Sequence, residues 1–161
     1  IADDPEVTIS IAGEKGYNNH SAIQDKELNG WLEYPNISFL GMKDDMWSVY
    51  AQADVMVLPS YREGLSRSLI EACAMKLPIV TTNVPGCKEV VEENKNGLLC
   101  EVRNADDLYM KMKQMYSLPE ERRLQMGDYG RKKVMSDFDE EIVIRMYEDK
   151  IRQLVKKNYP D

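Results

Sequence analysis

The chain has 161 residues, 43% hydrophobic and 30% charged, with a net charge of −7. That length can bury a core for one domain, and the acidic balance lacks the basic footprint of nucleic-acid binding. No stretch approaches the roughly 20 apolar residues of a membrane span. The opening residues, Ile1-Ala2-Asp3-Asp4-Pro5, contain neither an initiator Met nor a signal peptide, so the expectation is a fragment or a domain lacking its upstream half.

In chain order, Val7–Ala12 predicts a strand that ends at Gly13. Residues 20–34 read as weakly helical and begin with His20, the sole histidine, in the polar stretch Asn18-Asn19-His20-Ser21; a surface or capping role is expected for it. Asn36–Leu40 predicts a second strand, ending at Gly41. Asp44 is placed to cap a helix with Met46, Trp47, Tyr50 and Ala51 on its inner face. Val55–Leu58 predicts a third strand, Leu65–Met75 a helix and Pro78–Thr82 a fourth strand.

Pro85-Gly86 predicts a turn before a short helix over Cys87–Glu92, and Gly97–Glu101 a fifth strand. Beyond Asn104 the pattern is helical, with Leu108, Met112 and Met115 on one face and Pro119 at the first position of the next helix. Ile144, Tyr147, Ile151 and Leu154 mark a final helix at spacings of three and four. Cys73, Cys87 and Cys100 have no metal-type spacing and read as free buried thiols of a reducing, cytoplasmic compartment. The ten methionines read as core filling, and Glu120-Glu121-Arg122-Arg123 as a solvated helix face.

Apolar strands alternating with helices predict an α/β fold, a doubly wound Rossmann-like parallel sheet with helices on both faces and a helical C-terminus. Ligands of such sheets bind at the carboxyl ends of the strands, where Gly13, Gly41, Ser60 and the 82–86 turn all fall. There is no Gly-x-Gly-x-x-Gly and no Gly-Lys-Ser/Thr, so dinucleotide and P-loop readings lose their main support.

The segment from Ser60 to Ala72 carries the chemistry. Gly64 lets a ligand approach the backbone. The amides of Leu65, Ser66 and Arg67 are expected in the first helical turn, where donors lack internal partners. The helix dipole there favours an anion by about 0.3–1 kcal/mol. Arg67 adds a guanidinium if it turns inward; the alternative is a solvent-facing Arg at a helix end. Glu63, just before the helix, suits charge-assisted hydrogen bonds from sugar hydroxyls, the alternative being an acid that favours the dipole. Glu71 sits among Leu69, Ile70, Ala72 and Ala74, so partial burial and a partner such as a ribose diol are expected. Eight helical residues span about 12 Å, comparable to the reach from a hexose across a diphosphate to a ribose.

These residues resemble the carboxy-terminal, donor-binding domain of the retaining family 4 (group 1) glycosyltransferases of GT-B fold. The stretch Leu58-Pro59-Ser60-Tyr61-Arg62-Glu63-Gly64 through Leu69-Ile70-Glu71-Ala72 is similar to that family's Glu-x7-Glu signature. Pro78–Thr82 with Val84-Pro85-Gly86-Cys87-Lys88-Glu89, Asn96-Gly97-Leu98-Leu99, Ala105–Leu108, Phe39-Leu40-Gly41 and Ala51–Asp54 are similar to its flanking blocks, so the resemblance covers residues 7–115. It implies that Glu63, the catalytic candidate, contacts the donor hexose, that Glu71 contacts the ribose diol, and that the amides after Gly64 hold the diphosphate. It also implies that the backbone at Gly41, Met42 and Lys43 holds the base, with Gly13 on the same rim. The implied donor is a nucleotide-diphosphate sugar such as a UDP- or GDP-sugar, used with retention and without a required metal or other cofactor. The implied setting is bacterial polysaccharide or glycolipid assembly.

Two departures from the family pattern stand out. Lys76 replaces a usual glycine that would end the helix in a left-handed cap. The family's Arg–Lys pair for the diphosphate lies upstream of residue 7. Residues 1–161 are therefore expected to form a single donor-binding domain lacking its first strand-helix unit. The amino-terminal domain that presents a sugar or lipid-linked acceptor is expected to be absent too. Such a chain should bind donor weakly and not transfer alone. The full-length protein would be cytoplasmic, or peripheral at the inner membrane. A nucleotide-sugar epimerase of the same fold is one alternative, distinguished by isomerising donor without acceptor. A non-enzymatic α/β interaction module is the other, distinguished by having no nucleotide affinity.

Overall fold

The computed structural model describes residues 4–15 and 23–158. The chain divides into two compact units, Ile1–Val49 and Tyr50–Asp161. His20 and the start of the weakly helical stretch lie outside the described residues.

In the first unit, β1 (Ile9–Ala12) and β2 (Ile37–Gly41) pair in parallel, with Ile9 opposite Ile37 and Ile11 opposite Phe39. Parallel pairing requires a crossover, which contains α1 (Asp25–Trp31). The helix α2 (Met46–Tyr50) closes the unit and runs into the next. Its cap is Asp45 rather than the expected Asp44: the Ser48 amide donates to Asp45 Oδ1 at 3.3 Å. The expected four-residue inner face is also reduced. Tyr50 is only 3% exposed, whereas Trp47 is 53% exposed, because a five-residue helix has too few turns to present one continuous face.

The second unit holds a parallel sheet in the order β3 (Met56–Leu58), β4 (Ile79–Thr82), β5 (Gly97–Cys100). Every residue of the central strand β4 is buried, as expected where both faces are covered. Val57, Val80 and Leu98 are in register across the three strands. Val80 and Leu98 pack with Leu108, Met112 and Met115 of α4 (Ala105–Ser117) and with Met126 of α5 (Glu120–Asp137). Side chains alternate along a strand, so Ile79 points to the other face, where α3 (Arg67–Ala74) packs with Leu69, Ala72 and Cys73 buried. Asn104 caps α4 by accepting from the Asp107 amide at 3.0 Å. Pro119 caps α5 rather than opening it.

Helix α3 ends in a paired cap in which the Lys76 amide bonds Cys73 O at 2.9 Å and the Leu77 amide bonds Ala72 O at 3.0 Å. This is the Schellman pattern, with Lys76 at φ 64° in the left-handed position that a glycine would fill. The side chain gains an ion pair to Asp128 at 2.8 Å. Residues 87–90 form turns and 91–92 are irregular, where a short helix over 87–92 is expected. The fully buried Asn96 explains the difference. Its Oδ1 accepts the Glu92 amide at 2.7 Å, a donor that a continuing helix would use internally, and its Nδ2 donates to Val90 O at 3.0 Å.

The final helix, α6 (Glu140–Asn158), leaves Ile144, Tyr147, Ile151 and Leu154 exposed among the described residues. No described helix is long and apolar enough to cross a membrane. All three cysteines are free and buried, as expected.

Candidate functional site

The site is built where β3 and β4 end. Thr81 Oγ1 donates to Leu58 O at 2.7 Å, and Thr82 Oγ1 donates to Ser60 O. These two hydroxyls, one residue apart on the central strand, fix the exit of the neighbouring strand. Ser60 then donates its hydroxyl to Glu63 Oε1 at 2.7 Å. The carboxylate is thereby aimed while keeping acceptor directions on both oxygens.

The turn after β4 seats against this loop. Gly86 has φ 84°, and a Cβ there would fall 1.6 Å from Gly64 O and 2.8 Å from Glu63 O. Only glycine allows that approach. The Ser66 amide donates to Gly86 O at 3.3 Å, and the Gly86 amide donates to the Glu89 carboxylate. The two loops together form an open cleft of about 630 Å³ lined by Tyr61, Arg62, Glu63, Gly64, Val84 and Pro85. Cys87 is buried beside them. Burial pushes its thiol pKa up, a hydrogen bond with Thr81 opposes this, and the Glu63 carboxylate adds to the rise.

Helix α3 starts two residues later than expected. Ser66 is its cap and Leu65 precedes it. The Ser66 amide is occupied by Gly86, so the first-turn donors without intrahelical partners are those of Arg67, Ser68 and Leu69. Of the three expected amides, only that of Arg67 lies in the helix. The Arg67 side chain is 91% exposed and places Nε 3.1 Å from Glu71 Oε1, which matches the solvent-facing alternative.

Glu71 is 27% exposed and has partners, as its apolar neighbours required. Besides Arg67 it meets Tyr50, whose hydroxyl lies 3.4 Å from Glu71 Oε2 and 3.4 Å from Ser68 O. Tyr50 is held neutral: its pKa is pushed up to about 12, first by burial and then by the Glu71 charge and hydrogen bond. Glu63, Gly64, Arg67 and Glu71 are therefore all carried by one loop and the helix it feeds.

Gly13, Gly41, Met42 and Lys43 belong to the first unit. The Gly13 amide bonds Gly41 O at 3.0 Å. Among the described residues, no atom beyond the immediate chain neighbours lies within 4 Å of where a Cβ would sit on either glycine. Met42 is exposed. Among the described residues, no group of three or more His, Cys, Asp or Glu side chains could hold a metal ion.

Sequence reasoning missed Tyr50 as the partner of Glu71 and the two threonines that fix Ser60. The Ser60-to-Glu63 spacing was a readable signal for that hydrogen bond. Nothing local announced Tyr50, which lies 21 residues before its acceptor.

The model of the glycosyl transferases group 1 family matches residues 1–133. The chain belongs to this family. A relative, the capsular polysaccharide biosynthesis glycosyltransferase CapM of Staphylococcus aureus, is 26% identical over 94% of the chain and 42% of its own length. The N-acetyl-alpha-D-glucosaminyl L-malate synthase of Bacillus anthracis is 32% identical over 70% of the chain and 29% of its own length. Among solved structures, Anabaena HepE in complex with UDP-glucose superposes with a TM-score of 0.79 at 19% identity, covering 93% of this chain and 42% of that one. This likeness shows a shared GT-B, Rossmann-like fold. The chain spans less than half the length of these two relatives.

Proposed function

We propose that this chain is the donor-binding domain of a glycosyltransferase that moves a hexose from a nucleotide-diphosphate sugar to an acceptor in polysaccharide or glycolipid assembly. The observation that carries the reading is the seating of Gly86 on the Glu63–Gly64 backbone. The cleft beside it is lined by Glu63 and Gly64, and the first-turn amides of α3 follow three residues later in the chain. Family membership and the relatives' names support it, as does the UDP-glucose held by the structurally similar HepE.

In this reading Glu63, aimed by Ser60, accepts hydrogen bonds from hexose hydroxyls. The amides of Arg67, Ser68 and Leu69 face the diphosphate, where a helix N-terminus stabilises negative charge. Because charge develops on the leaving diphosphate, donors fixed there stabilise the transition state more than the ground state. Glu71, one turn into α3, accepts from the ribose diol. The hexose is transferred with retention of configuration and without a required metal. In the whole protein a further domain presents a sugar or lipid-linked acceptor, and this chain alone does not complete transfer.

Calorimetric titration with UDP, GDP and their hexose derivatives tests the assignment. Binding of at least one nucleotide is expected. Glu63→Ala should weaken the hexose derivative more than the bare nucleotide, and Glu71→Ala should weaken both, each by about tenfold, as expected for a lost charge-assisted hydrogen bond. Binding indifferent to both substitutions overturns the assignment.

A further inference from the structure

Tyr50 occupies an unusual position for a core aromatic. Its ring is buried, yet its hydroxyl is directed at two acceptors on the following helix, Ser68 O and Glu71 Oε2, each 3.4 Å away. One proton is shared between them, so the hydroxyl stands ready to donate to the carboxylate. We infer that Tyr50 is a positioning residue that fixes the Glu71 carboxylate for a vicinal diol. The inference rests on the reading of Glu71 as a ribose contact given above.

Two features of the site support this role. The first is the count of acceptor directions. A carboxylate offers about four; Arg67 takes one on Oε1 and Tyr50 one on Oε2. Each oxygen keeps one open. A cis-diol presents two hydroxyl donors side by side, the same fork that the carboxylate then offers. The second is the contrast between the partners. Arg67 is almost fully solvated, so its pairing is screened and easily exchanged. Tyr50 is enclosed, and its ring has two side-chain torsions held by packing. The orientation of Glu71 is therefore set from the buried side. Because Tyr50 stays protonated, it donates without adding a charge that would compete with the ligand.

The test compares each ribonucleoside diphosphate with its 2′,3′-dideoxy analogue, UDP and GDP in turn, by calorimetry on the full chain. Tyr50→Phe keeps the ring and removes only the hydroxyl, and its melting temperature should match that of the unmodified protein. The substitution is expected to weaken the ribonucleotide by about three- to tenfold, the range of one lost hydrogen bond. The dideoxy analogue should be unchanged, so the ribo-to-dideoxy affinity ratio falls by the same factor. In a Glu71→Gln background the further Tyr50→Phe change should add less than about twofold. An unchanged ratio in Tyr50→Phe, or an equal loss for both ligands, overturns the positioning role. If Glu71→Gln still lowers the ratio in that case, the ribose assignment survives and only this inference fails. If neither nucleotide binds the unmodified chain, both fall together.

Discussion

Gly86 shows how one residue type can decide whether a site exists. It combines a left-handed φ of 84° with a Cβ position already occupied by the Glu63–Gly64 backbone. Gly86→Ala must displace that loop and also bear the left-handed penalty. A loss of about 2–4 kcal/mol is expected from overpacking and backbone strain together, read as a lower denaturation midpoint. Affinity for the nucleotide sugar should fall with it, more than affinity for the bare nucleotide, because the displaced loop carries Glu63.

The cysteines give a second prediction at this scale. Burial pushes the Cys73 thiol up to about 11 and raises Cys87 and Cys100 as well. Thiolate is the reactive form, so none should react with a thiol reagent at pH 8 on the timescale on which the denatured chain reacts completely. Stoichiometric labelling of the native protein would contradict the described packing.

Among the elements, the end of α3 offers the sharpest test of backbone reasoning. Lys76 adopts the left-handed cap at φ 64° and keeps an exposed ion pair with Asp128. The backbone strain is about 1–2 kcal/mol, and the exposed pair offsets at most about 1 kcal/mol of it. Glycine also raises the entropy of the unfolded chain, which opposes the gain. Lys76→Gly should therefore stabilise the protein by roughly 0.5–1 kcal/mol, whereas Lys76→Ala should be neutral or slightly destabilising. The neighbouring Gly127 behaves oppositely: a Cβ there would lie 1.9 Å from Lys76 O, so Gly127→Ala should destabilise by about 1–3 kcal/mol. Urea denaturation of the three variants checks these signs together.

Element types were more legible than their ends. The start of α3 at Arg67 instead of Leu65 goes with the Ser66 amide bonding Gly86 O, a partner on a distant turn that local sequence does not announce. The non-helical path of residues 87–92 is not legible in that window because Asn96, which takes the Glu92 amide, lies outside it.

For the molecule as a whole, parallel pairing followed from apolar runs alternating with helical patterns, and the pairs in both described sheets are parallel; the order of the strands did not follow from the pattern. The family's Glu-x7-Glu stretch was legible because its two acids lie on one short segment. The shaping of that segment was less so, because it depends on Thr81, Thr82, Gly86 and Tyr50, which reach it from other elements. The face of α6 was legible as a pattern, but nothing in the described chain covers it.

The most direct test of the central claim is an amide-resolved NMR titration of the chain with UDP and GDP. Saturable shifts concentrated on Gly64, Arg67, Ser68, Leu69 and Glu71 are predicted for at least one of the two. Saturable shifts that leave this loop and helix start untouched, or no saturable shifts with either nucleotide, would contradict the account.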